Sequence, residues 1–427
     1  MAKCLGIGIG PANLSLACHL ADDGVEAMFF DRCAQFSWHE GMQIQGANLQ
    51  VSLFKDLVTL ANPTSRYSFL AYLHQDGRLG HFINAQFDAV SRREFANYLA
   101  WVCEQLGGLS FGTEVHEVDH DGSFVVRTSH GEYRAPNVVL GVGKVPVLPD
   151  FVSNASGEGV SHSAEFMWRG RHLGRRSVVV VGGGQSGAEV FLNLISRNGA
   201  DRPSEVSWIS SRKNFLPMDD SPFTNDLFLP CYVEHFASLS RIEREQHVRD
   251  NILASDGISE ETLRAIYQRL YTCRFVDNED GAISLLPGRQ VISCSASGRG
   301  TMLMTQHKGD GGMEMLYADA VIFATGYRNS QAPLSDGLRG RLEWEGEEIR
   351  VGSDYSAYWD GPEGQALFVQ NATRNQKGLA DPNLSLMAWR SRLIADAILG
   401  RPQRSAKTPS FVSWRRIEQQ DQWLESA

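Results

Sequence analysis

Two stretches of this chain carry the same succession of apolar runs and glycine-rich turns. In the first, Cys4-Leu5-Gly6-Ile7 reads as a short strand that enters Gly8-Ile9-Gly10-Pro11-Ala12-Asn13. A helical pattern follows through Leu20, and Ala27-Met28-Phe29-Phe30 predicts a second strand ending on Asp31. In the second, Val178-Val179-Val180-Val181 predicts a strand buried on both faces, of the kind found in parallel sheets. It runs into Gly182-Gly183-Gly184-Gln185-Ser186-Gly187, and a further strand, Glu205-Val206-Ser207-Trp208-Ile209, ends in Ser210-Ser211-Arg212-Lys213. Each unit is closed downstream by another apolar run: Asn137-Val138-Val139-Leu140 before Gly141 and Gly143, and Ala320-Val321-Ile322-Phe323 before Ala324-Thr325-Gly326-Tyr327.

This order predicts an α/β chain with two Rossmann-like dinucleotide-binding domains, the second inserted in the first. Gly8 and Gly10 permit a tight turn and close approach of the backbone to a pyrophosphate. The helix beyond them, opening at Pro11, offers unpaired N–H groups and the positive end of its dipole. Asp31 follows Gly8 by 23 positions (31 − 8), near the roughly 20 expected of an acid that accepts from a ribose diol. Asn13 stands where a third glycine is usual, so a slightly larger side chain must fit there. The second turn has the full pattern Gly182, Gly184, Gly187, with Gln185 and Ser186 inside it. Its following strand ends on no acid. Ser210, Arg212 and Lys213 stand there instead, which favours a 2′-phosphate and therefore NADPH over NADH. The competing reading is a solvated surface pair of cations.

Composition narrows the class. The 427 residues exceed a single usual core, and 42% hydrophobic with 21% charged residues is an ordinary globular balance. A formal net charge of −10 argues against an unspecific nucleic-acid binder. No run reads as a membrane span or a signal segment, so a cytoplasmic location is expected. Cysteines at 4, 18, 33, 103, 231, 273 and 294 form no C-x-x-C pair, and no metal site, disulfide scaffold or Ser-His-Asp set is expected.

The paired turns together with Ala324-Thr325-Gly326-Tyr327 resemble the class B flavin-dependent monooxygenases. Gly8-x-Gly10-Pro11-x-Asn13 with Phe36-Ser37-Trp38-His39 is similar to the microbial N-hydroxylating branch. Gln50-Val51-Ser52-Leu53-Phe54-Lys55-Asp56-Leu57, Met218-Asp219-Asp220-Ser221-Pro222-Phe223-Thr224-Asn225 and Gly378-Leu379-Ala380-Asp381-Pro382-Asn383-Leu384-Ser385 strengthen the likeness. It is closest to the lysine N6-hydroxylases and the cadaverine or putrescine N-hydroxylases of siderophore synthesis. The resemblance implies FAD in the first unit and NADPH in the second. It implies O₂ as co-substrate, a C4a-hydroperoxyflavin, and attack on it by a neutral terminal amine to give a hydroxylamine. It also implies a homo-oligomer, a dimer or tetramer. The chain then divides into 1–160 (FAD domain, first part), 161–220 with 275–325 (NADPH domain), 221–274 (mainly substrate-binding helices) and 326–427 (FAD domain return and C-terminal substrate loop).

Site residues follow by matching motif positions. Gln50 and Lys55 fall in the segment that lines flavin and substrate, and the residues matching Lys55 and Asn225 hold the amino-acid end in the ornithine enzymes. Trp38 and His39 pack at the flavin, although Trp38 reads nearly as well as plain core; for Lys55 the competing reading, an ordinary surface lysine, is the weaker one. Thr325, Gly326 and Tyr327 close the nucleotide sites. Asn383, Leu384 and Ser385 match a loop at the flavin ring and the reacting amine. Ala254-Ser255-Asp256-Gly257 replaces the Asn-Tyr-Ser segment of ornithine enzymes, so Ser255 or Asp256 is expected to meet a second ammonium. Lysine and a diamine both stay open: Lys55 favours a carboxylate, whereas a diamine requires Lys55 to be paired elsewhere, with Asp56 as the neighbour to hand. A different class B reaction (ornithine N5-hydroxylation, sulfoxidation, Baeyer–Villiger oxidation) and a non-catalytic flavin-binding assembly protein are the alternatives.

Overall fold

The computed structural model describes residues 2–155, 159–278, 282–298, 300–402 and 410–414. Two five-stranded parallel sheets form its framework. In the first, β1 (Cys4–Ile7) lies between β2 (Ala27–Phe30) and the strand Asn137–Leu140, with Leu109–Ser110 and Ala366–Val369 at the edges. The run of apolar residues without alternation has a direct cause, since both faces are covered. Cys4, Phe29, Val139 and Phe368 face a core shared with helix α1 (Pro11–Asp22). Leu5, Ile7, Phe30, Val138 and Leu140 face Val118, Phe124 and Val126 of an antiparallel three-stranded sheet spanning 115–135.

The second unit repeats the plan. β3 (Ser177–Val181) lies between β4 (Glu205–Ser210) and Ala320–Phe323, with Ile283–Pro287 and Val160–His162 outside them. Val178, Val180 and Trp208 face helices α2 (Gln185–Ile195) and α3 (Glu260–Tyr271) through Phe191, Leu194 and Ile266. Val179, Val181 and Phe323 face a second antiparallel sheet, Arg289–Ser297, Gly300–His307 and Met313–Ala318. Helix α3 therefore belongs to the second sheet. Its apolar stripe alone does not reveal which sheet it covers, and by position it falls within 221–274.

The chain passes between the units through two strands that pair antiparallel, Lys144–Pro146 and Tyr327–Asn329. Thr325 Oγ1 donates to the Val147 carbonyl, Val147 N donates to Gly326 O at 3.0 Å, and Gly326 takes φ +84°. The Thr-Gly turn is thus the clasp of the crossing. Beyond it, Ala366–Val369 re-enters the first sheet. The short helix α4 (Arg374–Lys377) and helix α5 (Met387–Ile398) follow, and α5 packs on α1, with His19 Nε2 3.1 Å from Ala388 O. Positions 415–427, assigned from sequence to this returning part, lie outside the described residues. Among the described residues no helix is long and apolar enough to cross a membrane, and no cluster of His, Cys, Asp or Glu suits a metal ion.

Candidate active site

The first glycine turn is built for a phosphate. Gly8 has φ +90°, and a Cβ there would lie 2.4 Å from Gly141 O, so glycine is demanded by the protein's own backbone. Gly10 is different: an added Cβ would meet nothing within 4 Å. The space above Gly10 opens onto the N-terminus of α1, whose first turn carries Pro11 and no acidic side chain. That is a cradle for an anionic pyrophosphate. Asn13 does not line the cradle. It is buried, donates to Ile7 O (3.1 Å) and Gly8 O (2.8 Å), and accepts from Gln370 at 2.9 Å. It locks the turn where the usual third glycine would only permit close packing. Asp31 accepts from Ile9 N and Cys33 N, both at 2.9 Å, which fixes the carboxylate at the end of β2 beside the cradle. Trp38 stands edge-on to His39 and Phe95, and His39 takes a left-handed backbone (φ 51°). Packing near Trp38 and Tyr327, and then the Arg92 charge, lower the pKa of the His39 imidazole.

The second turn follows the same logic. A Cβ on Gly182 or Gly187 would lie 2.2 Å from a backbone oxygen, whereas one on Gly184 would meet only Asp256 O, at 3.7 Å. Gln185 is spent on structure: its carbonyl accepts from Ser259 N (2.8 Å) and its amide donates to Thr262 (3.1 Å) and Glu189 (3.0 Å). Ser186 lies in the first turn of α2. Buried Ser210 accepts from Arg212 N. Arg212 donates to Gly183 O (3.2 Å) and Asp256 O (2.9 Å), tying the turn to the 254–257 segment. Lys213 is exposed beside it. Tyr327 lies edge-on to His162 and His39, between the two units. The two sites thus fit FAD and NADPH respectively.

Between the units lies one cavity lined by six of the sequence candidates: Gln50, Lys55, Asn225, Ser255, Asn383 and Ser385. Val51, Met218, Phe228 and Ala254 supply apolar wall, and Asp220 a carboxylate. Lys55 Nζ donates to Ser385 Oγ at 3.0 Å, Ser385 Oγ donates to Asn383 Oδ1 at 2.9 Å, and the ammonium sits 5.6 Å from the centre of the Phe228 ring. Burial pushes the Lys55 pKa below that of an ordinary lysine. Asn225 Nδ2 donates to Asp220 O at 2.8 Å.

Asp256 and Leu384 are not among the lining residues. The Asp256 carboxylate accepts from Ser255 Oγ (2.7 Å) and faces Arg374 at 3.9 Å. Of the neighbouring acids it is Asp220 that reaches the cavity. Asp220 and Met218 stood inside a recognised motif without a role attached, and Phe228 lay just beyond that motif. Asp56 is buried, and its two oxygens accept from Val58 N, Thr59 N, Thr59 Oγ1 and Phe69 N at 2.7–3.0 Å. It is not a partner for Lys55.

The family model for L-lysine 6-monooxygenase/L-ornithine 5-monooxygenase matches residues 1–329. The chain is 37% identical to the L-lysine N6-monooxygenase of Escherichia coli over 96% of its own length and 98% of the relative's. Among solved structures, the FAD-bound cadaverine monooxygenase of the desferrioxamine pathway from Erwinia amylovora superposes with a TM-score of 0.89 at 28% identity, covering 98% of this chain and 100% of that one. The ornithine N-hydroxylase of Kutzneria sp. 744 superposes with a TM-score of 0.86 at 29% identity, over 94% of this chain and 99% of that one. With two nucleotide cradles flanking a cavity that holds a lysine and a carboxylate, and with these likenesses over nearly its whole length, the chain belongs to the lysine/ornithine N-monooxygenase family, the FAD- and NADPH-dependent N-hydroxylases of siderophore biosynthesis.

Proposed function

We propose that the substrate is L-lysine, hydroxylated on its terminal amine. The observation that carries this reading is the state of Lys55. It lines the cavity, its one hydrogen bond is to a neutral hydroxyl, and among the described residues it has no carboxylate in ion-pair reach. The adjacent acid Asp56 is wholly spent on backbone and Thr59. A half-buried cation without a counter-ion suits a ligand anion, and the α-carboxylate of an amino acid supplies one. A diamine would place a second positive charge in the same space, at a cost that grows as water is excluded. The 37% identity to an L-lysine N6-monooxygenase agrees with this choice.

When bound, FAD supplies the oxygen activation and NADPH the reducing equivalents. The chain's own residues do the rest. Lys55 and Asn225 hold the amino-acid end and fix how far the chain reaches. Phe228, Val51, Met218 and Ala254 withdraw water from the aliphatic stem. A desolvated ammonium loses its proton more readily, and the neutral amine is the nucleophile that the chemistry needs. Ser255 borders the cavity while its neighbour Asp256 abuts Gly184 and Arg212, so the substrate wall and the coenzyme turn share one segment.

The test is hydroxylamine formation from L-lysine, L-ornithine, cadaverine and putrescine by the holoenzyme and by Lys55→Ala. L-lysine is expected to be the best substrate. Loss of a charge-assisted bond of about 1.5–3 kcal/mol should raise its KM by roughly 10- to 150-fold in the variant, with NADPH-driven flavin reduction continuing. Preference for a diamine, with KM unmoved or lowered by Lys55→Ala, overturns the proposal.

A further inference from the structure

Among the described residues, Lys55 and Asp220 are the two ionisable ones that line the cavity. We propose that Asp220 receives the α-ammonium of the substrate, so that the cavity recognises a zwitterion. This rests on the reading of Lys55 as the carboxylate's partner. The other nearby carboxylates are already occupied. Asp56 accepts four hydrogen bonds, Asp219 accepts from Ser221 N at 3.3 Å, and Asp256 is held by Ser255 and faces Arg374. The Asp220 carboxylate has no such partner among the described residues, although its backbone is firmly placed. Asn225 Nδ2 holds its carbonyl at 2.8 Å, and Asn225 N closes on Ser221 O at 2.9 Å. Met218 N donates to Ile258 O (2.7 Å) and Asp219 N to Leu253 O (3.1 Å), pinning this segment against the turn that carries Ser255.

Asp220 is thus an exposed acid on a fixed backbone, bordering a cavity whose other ionisable residue is the half-buried Lys55. An α-amino acid carries the complementary pair on one carbon. A diamine satisfies Asp220 alone, and an ω-amino acid satisfies Lys55 alone. Asn225 acquires a second task in this scheme, because the same side chain that borders the cavity also holds Asp220 in place.

Three ligands with the same reacting end separate the contacts: L-lysine, cadaverine (no carboxylate) and 6-aminohexanoate (no α-amine). Each is measured as substrate, and where turnover is slow as a competitive inhibitor, with the FAD-loaded enzyme. Asp220→Asn should raise the L-lysine KM by about 10- to 150-fold while kcat changes little, and should leave 6-aminohexanoate unaffected. Asp220→Glu should recover part of the loss. Lys55→Ala should show the converse, weakening 6-aminohexanoate and sparing cadaverine. Equal weakening of L-lysine and 6-aminohexanoate by Asp220→Asn, or no weakening of L-lysine, overturns the assignment. If wild type turns over only diamines, the Lys55 reading fails by itself. Cadaverine then decides on Asp220: a raised KM in Asp220→Asn sustains the ammonium site, and an unmoved one removes it.

Discussion

At the scale of single residues, two glycines of one turn are kept for different reasons. Gly8 is required by the fold, with φ +90° and Gly141 O where a Cβ would go. Gly10 has extended backbone (φ −84°, ψ 175°) that any residue adopts, including one preceding proline, and open space above it. Gly10→Val should therefore leave the flavin-free protein about as stable as wild type yet abolish FAD binding, because its side chain occupies the pyrophosphate cradle. Gly8→Ala should lower the stability of the flavin-free protein itself. Thermal unfolding of the flavin-free proteins and flavin absorbance after reconstitution check both. A Gly10→Val protein that retains stoichiometric flavin removes the cradle from this turn. The glycine turns were legible in the sequence because their demands are local. Asn13 was legible only as a departure, since Gln370, its partner, lies far along the chain. That Asp220 and not Asp256 lines the cavity was not legible at all: Asp256 is held by Ser255 and faces Arg374, which the return of the chain to the first sheet brings there.

At the scale of elements, the three central strands of each parallel sheet followed from apolar runs and turn residues, while their order, the edge strands, the antiparallel sheets and the assignment of helices to sheets did not. Helix α3 shows why. Its stripe is satisfied by any apolar face, and it is the cap at Ser259, joined to Gln185, that commits it to α2. The contact of α1 with α5 is equally non-local and carries a titratable group. His19 is fully buried, its Nε2 meets Ala388 O and its Nδ1 has no hydrogen-bond partner among the described residues. Burial and then Arg392 push its pKa from 6.5 down to about 4. The folded state thus binds this proton less readily than the unfolded chain. The stability it contributes is complete above about pH 6.5 and is lost as pH falls toward 4, up to about 3 kcal/mol in all. His19→Leu should remove this part of the acid sensitivity. Urea unfolding in excess FAD at pH 7.5 and pH 5 should show the variant gaining on wild type at the lower pH. A difference that stays constant with pH assigns the acid sensitivity to other groups, among them buried His162, whose pKa is also lowered by burial.

At the scale of the whole molecule, the two nucleotide units must be held so that coenzyme, flavin and amine meet in one place. The antiparallel pairing of the two crossing strands supplies one tie, and a buried ion pair supplies another. Arg92 begins the helix Arg92–Gln105, which buries Phe95, Tyr98 and Leu99 in the first core, and Glu189 lies on α2 in the second. Their contact is two-pronged, Nη1 to Oε2 at 3.0 Å and Nη2 to Oε1 at 2.8 Å, and Arg92 also donates to Met42 O at 2.7 Å. Gln185 extends the chain of bonds from Glu189 to Ser259 and Thr262 at the edge of the coenzyme turn. Displacing either unit would shift the nicotinamide relative to the flavin, and a small misplacement of reacting groups can cost roughly 100-fold in rate. Glu189→Ala should accordingly slow anaerobic flavin reduction by NADPH by about 10- to 100-fold, with FAD content and NADP⁺ affinity near those of wild type. Stability should fall by less than the about 3–5 kcal/mol of a fully buried pair, because the partly buried Arg92 loses its counter-ion but keeps its bond to Met42 O. Glu189→Gln, which keeps one acceptor, should lie between the two. Stopped-flow reduction separates this from a purely structural role. If stability falls while the reduction rate is unchanged, the pair merely supports the fold; if the rate falls and both cofactors stay bound, it sets the registry between the two domains.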